Sequence, residues 1–194
     1  MNRLIIVKGG GDLATGIAHR LFRSGFDVLI TEIAQPTVIR RTVAFASAVF
    51  EGRMTVEAVT AVRATPAEVA GCLRERLIPV LIDPTCQIRE QAKPWGLVDA
   101  ILAKKNTGTT INDAPVVIGV GPGFTAGVAV HRVVETMRGH DLGRVIETGA
   151  AEPNTGIPGD IGGYTLERLV TAPADGTFWP QKQIGDIVAA GDIL

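Results

Sequence analysis

A glycine-rich turn near the start of the chain has the residue types of a phosphate-binding loop. The sequence Gly9-Gly10-Gly11-Asp12-Leu13-Ala14 matches G-x-G-x-x-A and lies between an apolar run, residues 4–7, and a segment with helical periodicity. In this pattern the first glycine permits a tight turn and the second lets backbone N–H groups approach a pyrophosphate. The small last residue lets the helix and the strand pack closely. The sequence therefore predicts a nucleotide- or dinucleotide-binding turn.

Charged residues around this turn bear on the same prediction. Glu32 ends the second predicted strand, about twenty residues after the glycines, where a carboxylate can accept hydrogen bonds from a ribose hydroxyl. Asp12 complements the helix dipole but competes with a diphosphate for the same place, and Lys8 could offset its charge. Arg40 and Arg41 have two interpretations: they bind a 2′-phosphate on the ribose, or they lie on a solvated helix face. The alternative is that the glycines are needed only for the backbone turn and that no ligand binds there.

Two further loops follow predicted strands and are candidate ligand contacts. Because ligands of open α/β sheets bind outside the carboxyl ends of the strands, a polar loop there is well placed to meet an anion. The first loop contains Lys104, Lys105, Asn106 and Thr107; the second contains Gly121 and Gly123. In both loops a structural turn is the alternative to a ligand contact.

The sequence predicts no metal site and no recognisable nucleophile. Cys72 and Cys86 are too few and too far apart for a zinc cluster or a disulfide framework. Cys86 follows a predicted strand but has no neighbouring histidine to lower its pKa, so we expect an inert thiol. The three histidines are widely spread, and no Ser-His-Asp set indicates a hydrolase.

Alternating strands and helices predict a Rossmann-like α/β fold with a doubly wound parallel sheet over residues 1–124. For residues 125–194 the sequence predicts a β-rich, loop-rich region. The predicted helices are 13–22, 36–50 and 66–77, and the predicted strands are 4–7, 28–31, 56–62, 79–82, 98–103, 115–120, 128–134, 145–148 and 165–170.

Composition excludes two classes of protein. Among 194 residues there are 19 Lys and Arg against 20 Asp and Glu, so there is no excess of cations to neutralise a nucleic-acid backbone. The nearly uncharged stretches contain glycine and proline and are shorter than the ~20 apolar residues that a membrane span needs. No signal-type segment precedes the first strand, so a cytoplasmic protein is expected.

Four segments together resemble the YqeB family of selenium-dependent molybdenum hydroxylase system proteins. The segments are 7–16, 103–109, 120–127 and 152–156. The resemblance implies a role in maturing molybdenum hydroxylases and a distant relation to XdhC-type maturation factors, which also have a Rossmann-like domain. It implies a client hydroxylase or other maturation proteins as partners, in a chain that could form a homo-oligomer, and it carries over no catalytic residue.

The end of the chain resembles the first half of a biotinyl or lipoyl carrier domain. Asp175-Gly176 and the later Gly-Asp pairs are spaced like the turns of a barrel-sandwich. Lys182 has no matching hairpin, so a swinging-arm carrier is not predicted. We expect a partial barrel-sandwich tail that is truncated within that domain.

Three hypotheses follow from these patterns. The first is a maturation protein with a Rossmann-like site for a nucleotide or a pterin-dinucleotide ligand, with NAD(P) and the molybdenum cofactor as candidates. The second is an NAD(P)-dependent oxidoreductase of unknown substrate, although no general acid or base stands out. The third is a non-catalytic binding module that keeps the shape without the ligand.

Overall fold

The computed structural model describes residues 3–194, and its centre is a nine-stranded sheet. The strands are β1 (Leu4–Lys8), β2 (Asp27–Glu32), β3 (Arg53–Val56), β4 (Val59–Arg63), β5 (Ile78–Ile82), β6 (Gly96–Asp99), β7 (Val116–Val120), β8 (Arg132–Val134) and β9 (Val145–Ile146). The helices in the described residues are α1 (Asp12–Arg23), α2 (Ala48–Glu51), α3 (Val69–Arg74) and α4 (Arg89–Ala92).

The strand order is β3-β4-β5-β2-β1-β6-β7-β8-β9. All neighbours are parallel except β3–β4 and β8–β9, the antiparallel pairs at the two edges. After β1 and β2 the chain crosses to the edge hairpin β3–β4 and returns inward to β5 beside β2, and it then crosses to the other side of β1 to add β6 and β7. The strand order therefore reverses between β1 and β6, where open α/β sheets bind ligands. The predicted α/β class with a mostly parallel sheet is confirmed.

Both faces of the sheet are buried, as the apolar strands predict. Successive residues of a strand point to opposite faces, so Ile5 and Val7 enter one apolar cluster while Leu4 and Ile6 enter the other. Ala14 of α1 has no exposed surface and packs in the first cluster. The small residue that ends the glycine pattern thus lies against the sheet.

Several predicted elements differ from the observed ones. The predicted helix 36–50 is instead two 3₁₀ turns, Arg41–Val43 and Phe45–Ser47, followed by the single turn α2. Phe45 and Ala46 are fully buried and bond to the glycine turn and the start of α1, whereas Ile39 and Phe50 remain exposed, so the apolar residues form no helical stripe. The predicted strand 56–62 is a hairpin whose turn residues, Glu57 and Ala58, have positive φ angles.

The predicted helix 66–77 begins as expected and ends early. The Thr65 side chain and the Glu68 carboxylate form the capping box, and Pro66 is in the first turn, which is 3₁₀. The regular part, α3, ends at Arg74, and Arg76 has φ +56°, which turns the chain out of the helix.

The chain divides into two compact units, one up to Asn154 and one comprising Thr155–Leu194. The predicted boundary after residue 124 falls inside the first unit, where β8 and β9 extend the sheet. Within residues 3–194, no helix has the length and apolar character needed to cross a bilayer.

The predicted barrel-sandwich tail is not confirmed. Residues 155–194, all of which are described, contain no β-strand; they contain one isolated bridge, between Ile161 and Tyr164. The predicted β run 165–170 forms a 3₁₀ turn at Leu166–Arg168. A barrel-sandwich needs several paired strands that bury a common apolar face, and here apolar side chains such as Trp179 remain exposed.

Candidate functional site

The predicted glycine turn connects β1 to α1 at the point where the strand order reverses. Gly9 has φ +87° and donates its N–H to the Thr31 carbonyl over 2.8 Å, so the chain turns sharply as it leaves β1. Gly11 is the N-cap of α1, and its position holds no side-chain cap. The turn therefore has the geometry that the first glycine of the pattern predicts.

Glu32 lies at the end of β2, next to this turn. Its Oε2 accepts a hydrogen bond from the Gly10 N–H at 2.8 Å, and its Oε1 accepts one from the Ile33 N–H at 2.7 Å. Each carboxylate oxygen can accept two hydrogen bonds, so each keeps one lone pair. The side chain is thus held in one orientation and can still accept hydrogen bonds from a pair of hydroxyl groups.

The three glycines have different neighbours. A Cβ on Gly10 would lie 2.9 Å from the Ala46 nitrogen, and a Cβ on Gly9 would lie 3.0 Å from the Ile101 Cα. A Cβ on Gly11 would meet nothing within 4 Å. A side chain at position 9 or 10 would therefore collide with the protein's own backbone, whereas a side chain at position 11 would enter open space at the start of α1.

We expect Gly10→Ala to destabilise the fold and Gly11→Ala to leave it nearly unchanged. The added methyl group in Gly10→Ala collides with backbone, at a cost of about 1–3 kcal/mol. The same change at Gly11 costs only about 1 kcal/mol or less, because the added methyl group meets nothing within 4 Å and only the weaker preference of alanine for the N-cap position counts against it. Urea unfolding of the two variants measures this; equal midpoints would show that Ala46 does not confine Gly10.

Asp12 and Arg40 form an ion pair at the start of α1. The Arg40 Nη1 lies 2.7 Å from the Asp12 Oδ2, and both side chains are partly or largely exposed. Arg40 therefore neutralises the carboxylate that would oppose a bound anion. The prediction that Lys8 offsets the charge of Asp12 is wrong, because Lys8 is paired with Asp99.

Lys8 belongs to a buried polar cluster between β1 and β6. Its Nζ lies 3.1 Å from the Asp99 Oδ2 and donates to the Thr109 Oγ1 at 2.5 Å, and the Thr109 hydroxyl donates to the Asp99 Oδ2 at 2.5 Å. Lys8 is 4% exposed and Asp99 1%. The other Asp99 oxygen accepts the Ile101 N–H. The cluster closes the crevice below the glycine turn with the protein's own side chains.

The polar loop of the first candidate set supplies Thr109 to this cluster. The Asn106 Oδ1 accepts the N–H groups of Gly108 and Thr109, and its Nδ2 donates to the Thr109 carbonyl at 2.7 Å. Asn106 thus has the structural role that was the alternative for this loop. Lys104, Lys105 and Thr107 are exposed on the same loop.

The second candidate set packs against the first. Gly123 has φ +107°, and a Cβ there would lie 2.6 Å from the Lys105 Cα. Gly121 has φ +77°; its N–H donates to the Val134 carbonyl, and a Cβ there would lie 2.8 Å from the Thr136 Oγ1. These two glycines let the loops approach each other, and the Gly121 N–H already has a backbone partner.

A buried carboxylate, Glu135, was missed by the sequence analysis. Glu135 directly follows β8, and its side chain accepts three backbone N–H groups, from Thr136, Met137 and Glu152, at 2.6–2.8 Å. Burial raises the pKa of this carboxyl group, but the three donors outweigh burial and the net pKa is lowered. The available signal was an acid directly after an apolar run in a predicted strand.

Burial raises the pKa of both cysteine thiols. Cys86 is buried in the apolar cluster, and burial raises its pKa, opposed by a hydrogen bond with Thr31 and by the charge of Lys8. Burial also raises the pKa of Cys72, which lies on α3. Among residues 3–194, no group of three His, Cys, Asp or Glu side chains is arranged to hold a metal ion.

Comparison with known proteins gives one informative match. The chain is 52% identical over 194 residues to the "Uncharacterized protein YqeB" of Escherichia coli (strain K12). This chain is similar to YqeB. The similarity covers 100% of the chain but 36% of YqeB, so the chain spans little more than a third of that relative. No protein-family model matches the chain, and no solved structure gives a significant match. The alignment with YqeB includes the glycine turn, Glu32 and both candidate loops.

Proposed function

We propose that the chain binds a nucleotide-type ligand at the carboxyl ends of β1 and β2 and acts as an accessory protein in the maturation of selenium-dependent molybdenum hydroxylases. NAD(P) and the molybdenum cofactor are the candidate ligands. A client hydroxylase or another maturation protein is the proposed partner, and the proposed location is the cytoplasm. The role in maturation rests on the family resemblance; the site rests on geometry.

One observation carries the proposed site: Glu32 is fixed by the Gly10 N–H beside an open helix start at Gly11. A phosphate at Gly11 would meet the first-turn N–H groups of α1, which have no partners within the helix. The remaining lone pairs of the Glu32 carboxylate would accept hydrogen bonds from the hydroxyl groups of the attached ribose. Arg40 supports this arrangement, because it neutralises Asp12 at the same helix start.

Titration of the purified chain tests ligand binding. Isothermal titration calorimetry is carried out with NAD⁺, NADP⁺, nucleoside monophosphates and the isolated molybdenum cofactor. We expect at least one of these compounds to bind. We expect Gly11→Val to weaken this binding at least about tenfold, because the side chain fills the space of a phosphate. Gly176→Val is the matched control, since a Cβ there also meets nothing within 4 Å and lies in the other unit.

The role in maturation has a separate test in cells. Deletion of the chain should lower the activity of a selenium-dependent molybdenum hydroxylase without lowering the amount of its polypeptide. Unchanged hydroxylase activity, together with no binding of any of these ligands, would contradict the proposal.

A second candidate is the non-catalytic module that keeps the fold without a ligand. The observation that favours it is that the chain itself fills much of the crevice: Ala46 lies over Gly10, and Ile101 lies over Gly9. In this case Gly11→Val would leave the binding of a protein partner intact. An oxidoreductase is less well supported, because Lys8, a cation at the crevice, is buried and paired with Asp99.

A further inference from the structure

A cleft of about 400 Å³ lies at the carboxyl ends of β4 and β5, on the outer side of β2. It begins one strand away from Glu32, because Glu32 and Ile82 are paired in register and the Asp83 N–H donates to the Glu32 carbonyl at 2.9 Å. Its volume is within the range of pockets that hold small molecules. The larger cleft, about 700 Å³, lies where Pro94 and Pro115 lead into β6 and β7, at the opposite ends of the strands.

The floor of the smaller cleft is apolar. It is formed by Ala64, Pro66, Leu81, Ile82 and Ile88. Ala64, Leu81 and Ile88 are buried, so the apolar surface that a ligand can cover is that of Pro66 and of Ile82, which is 39% exposed. A flat ring that covers this surface removes it from water, which favours binding.

The rim of the cleft has one carboxylate, one guanidinium and two side-chain amides. The Asp83 Oδ2 accepts the Ile88 N–H at 2.9 Å, which fixes the carboxylate and leaves acceptor capacity on Oδ1. Arg63 donates to the Val49 carbonyl at 3.2 Å, and within the described residues it has no carboxylate partner. Gln87 and Gln91 are exposed at its edge.

From this combination we infer that the cleft binds a fused heteroaromatic ring with a 2-amino-4-oxopyrimidine edge, which pterin has and which guanine presents as its 2-amino and 6-oxo groups. A ring N–H and the neighbouring amino group are two donors side by side, and a fixed carboxylate accepts such a pair best. The oxo oxygen takes a hydrogen bond from the Gln91 amide, since Arg63 already donates to the Val49 carbonyl. Adenine presents an acceptor beside its amino group, so it satisfies Asp83 only once. Of the two candidate ligands, this preference therefore selects the pterin-containing molybdenum cofactor over NAD(P).

The inference rests on the proposed function and extends it along the sheet. The phosphate lies at Gly11 after β1, the ribose at Glu32 after β2, and the ring at Asp83 after β5. These strands are neighbours, with Lys8 paired to Thr31 and Glu32 paired to Ile82. Because α1 packs on one face of the sheet and Leu81 and Ile88 pack on the other, the ligand would pass over the end of β2, and its three parts would follow three adjacent strand ends.

Asp83→Asn is the decisive variant. The asparagine oxygen still accepts the Ile88 N–H, so the local fold is kept, while its NH₂ group presents donors to the ring in place of an acceptor. We expect wild type to bind GMP at least about tenfold more tightly than AMP or ribose 5-phosphate. Asp83→Asn should lose this preference and keep its affinity for ribose 5-phosphate. Glu75→Gln, an exposed site with the same change in charge, should bind as wild type does.

Further arms of the titration separate the possible outcomes. Gln91→Ala changes an exposed side chain and should weaken GMP binding without lowering the unfolding midpoint, which keeps the test valid if Asp83→Asn does not fold. 6-Hydroxymethylpterin tests the second source of the same edge, and its binding should also depend on Asp83. Equal affinity for GMP, AMP and ribose 5-phosphate would overturn the ring site and leave the proposed function standing. No binding of any of these probes would overturn both.

Discussion

Lys8→Met should destabilise the folded chain by about 3–5 kcal/mol, because it leaves the Asp99 carboxylate buried without its cation. Lys8 and Asp99 are 4% and 1% exposed, so water cannot replace the lost partner. The Thr109 hydroxyl would still donate to Asp99, but a neutral donor offsets only part of the cost of a buried charge. Urea unfolding followed by circular dichroism measures the effect.

Two comparisons make this result specific. Arg144→Met removes a cation from an exposed pair with Asp141 and should cost less than about 1 kcal/mol. The double variant Lys8→Met/Asp99→Asn removes both charges and keeps an acceptor for the Ile101 N–H, so it should be more stable than Lys8→Met alone. A Lys8→Met variant as stable as Arg144→Met would show that the buried pair contributes no more than a surface one.

The turn between β1 and α1 could be predicted because its signals are local. An apolar run, three glycines and a helical repeat lie within about twenty residues, and each constrains the backbone directly. Glu32 was placed correctly at the end of β2 for the same reason. That a ligand binds there stays a prediction, as does the cytoplasmic location.

The buried cluster could not be predicted, because its members come from distant parts of the chain. The hydrogen bond from Lys8 to Thr109 spans 101 residues. Lys8 follows an apolar run, which a strand end in solvent would also explain. Asp99 lies inside the predicted strand 98–103, whereas the observed β6 ends at Asp99. Only the order of the strands, with β1 beside β6, brings the two charges together.

The segment that covers the glycine turn was also missed. Its apolar residues fit a helical repeat, but the backbone forms 3₁₀ turns in which the Ala46 N–H donates to the Gly10 carbonyl at 2.8 Å. The Phe45 N–H donates to the Thr15 hydroxyl. These tertiary hydrogen bonds override the local helical preference, and they explain why position 10 is glycine although the binding pattern leaves that position open.

The second large effect is expected at Glu135. Its carboxylate accepts three backbone N–H groups, and in Glu135→Gln the amide NH₂ group would face one of these donors in place of an oxygen. A buried N–H without an acceptor costs about 1–3 kcal/mol, and the charge-assisted bonds to the others are weakened as well. We expect Glu135→Gln to cost about 2–4 kcal/mol at pH 7.

The same carboxylate makes this difference depend on pH. The pKa of Glu135 is lowered in the folded chain, so ionisation stabilises the fold. That contribution is complete above the pKa of the unfolded state and is lost as the pH falls through the lower folded-state pKa. The gap between wild type and Glu135→Gln should therefore be constant from pH 7 to about 5 and should narrow below about pH 4. Glu147→Gln, which removes a carboxylate from an exposed pair with Arg132, should show a gap within about 0.5 kcal/mol of zero over this range. A Glu135→Gln gap that widens as the pH falls from 7 to about 4 would mean that folding raises the pKa of Glu135, which would contradict the stabilisation of its carboxylate by the three N–H donors.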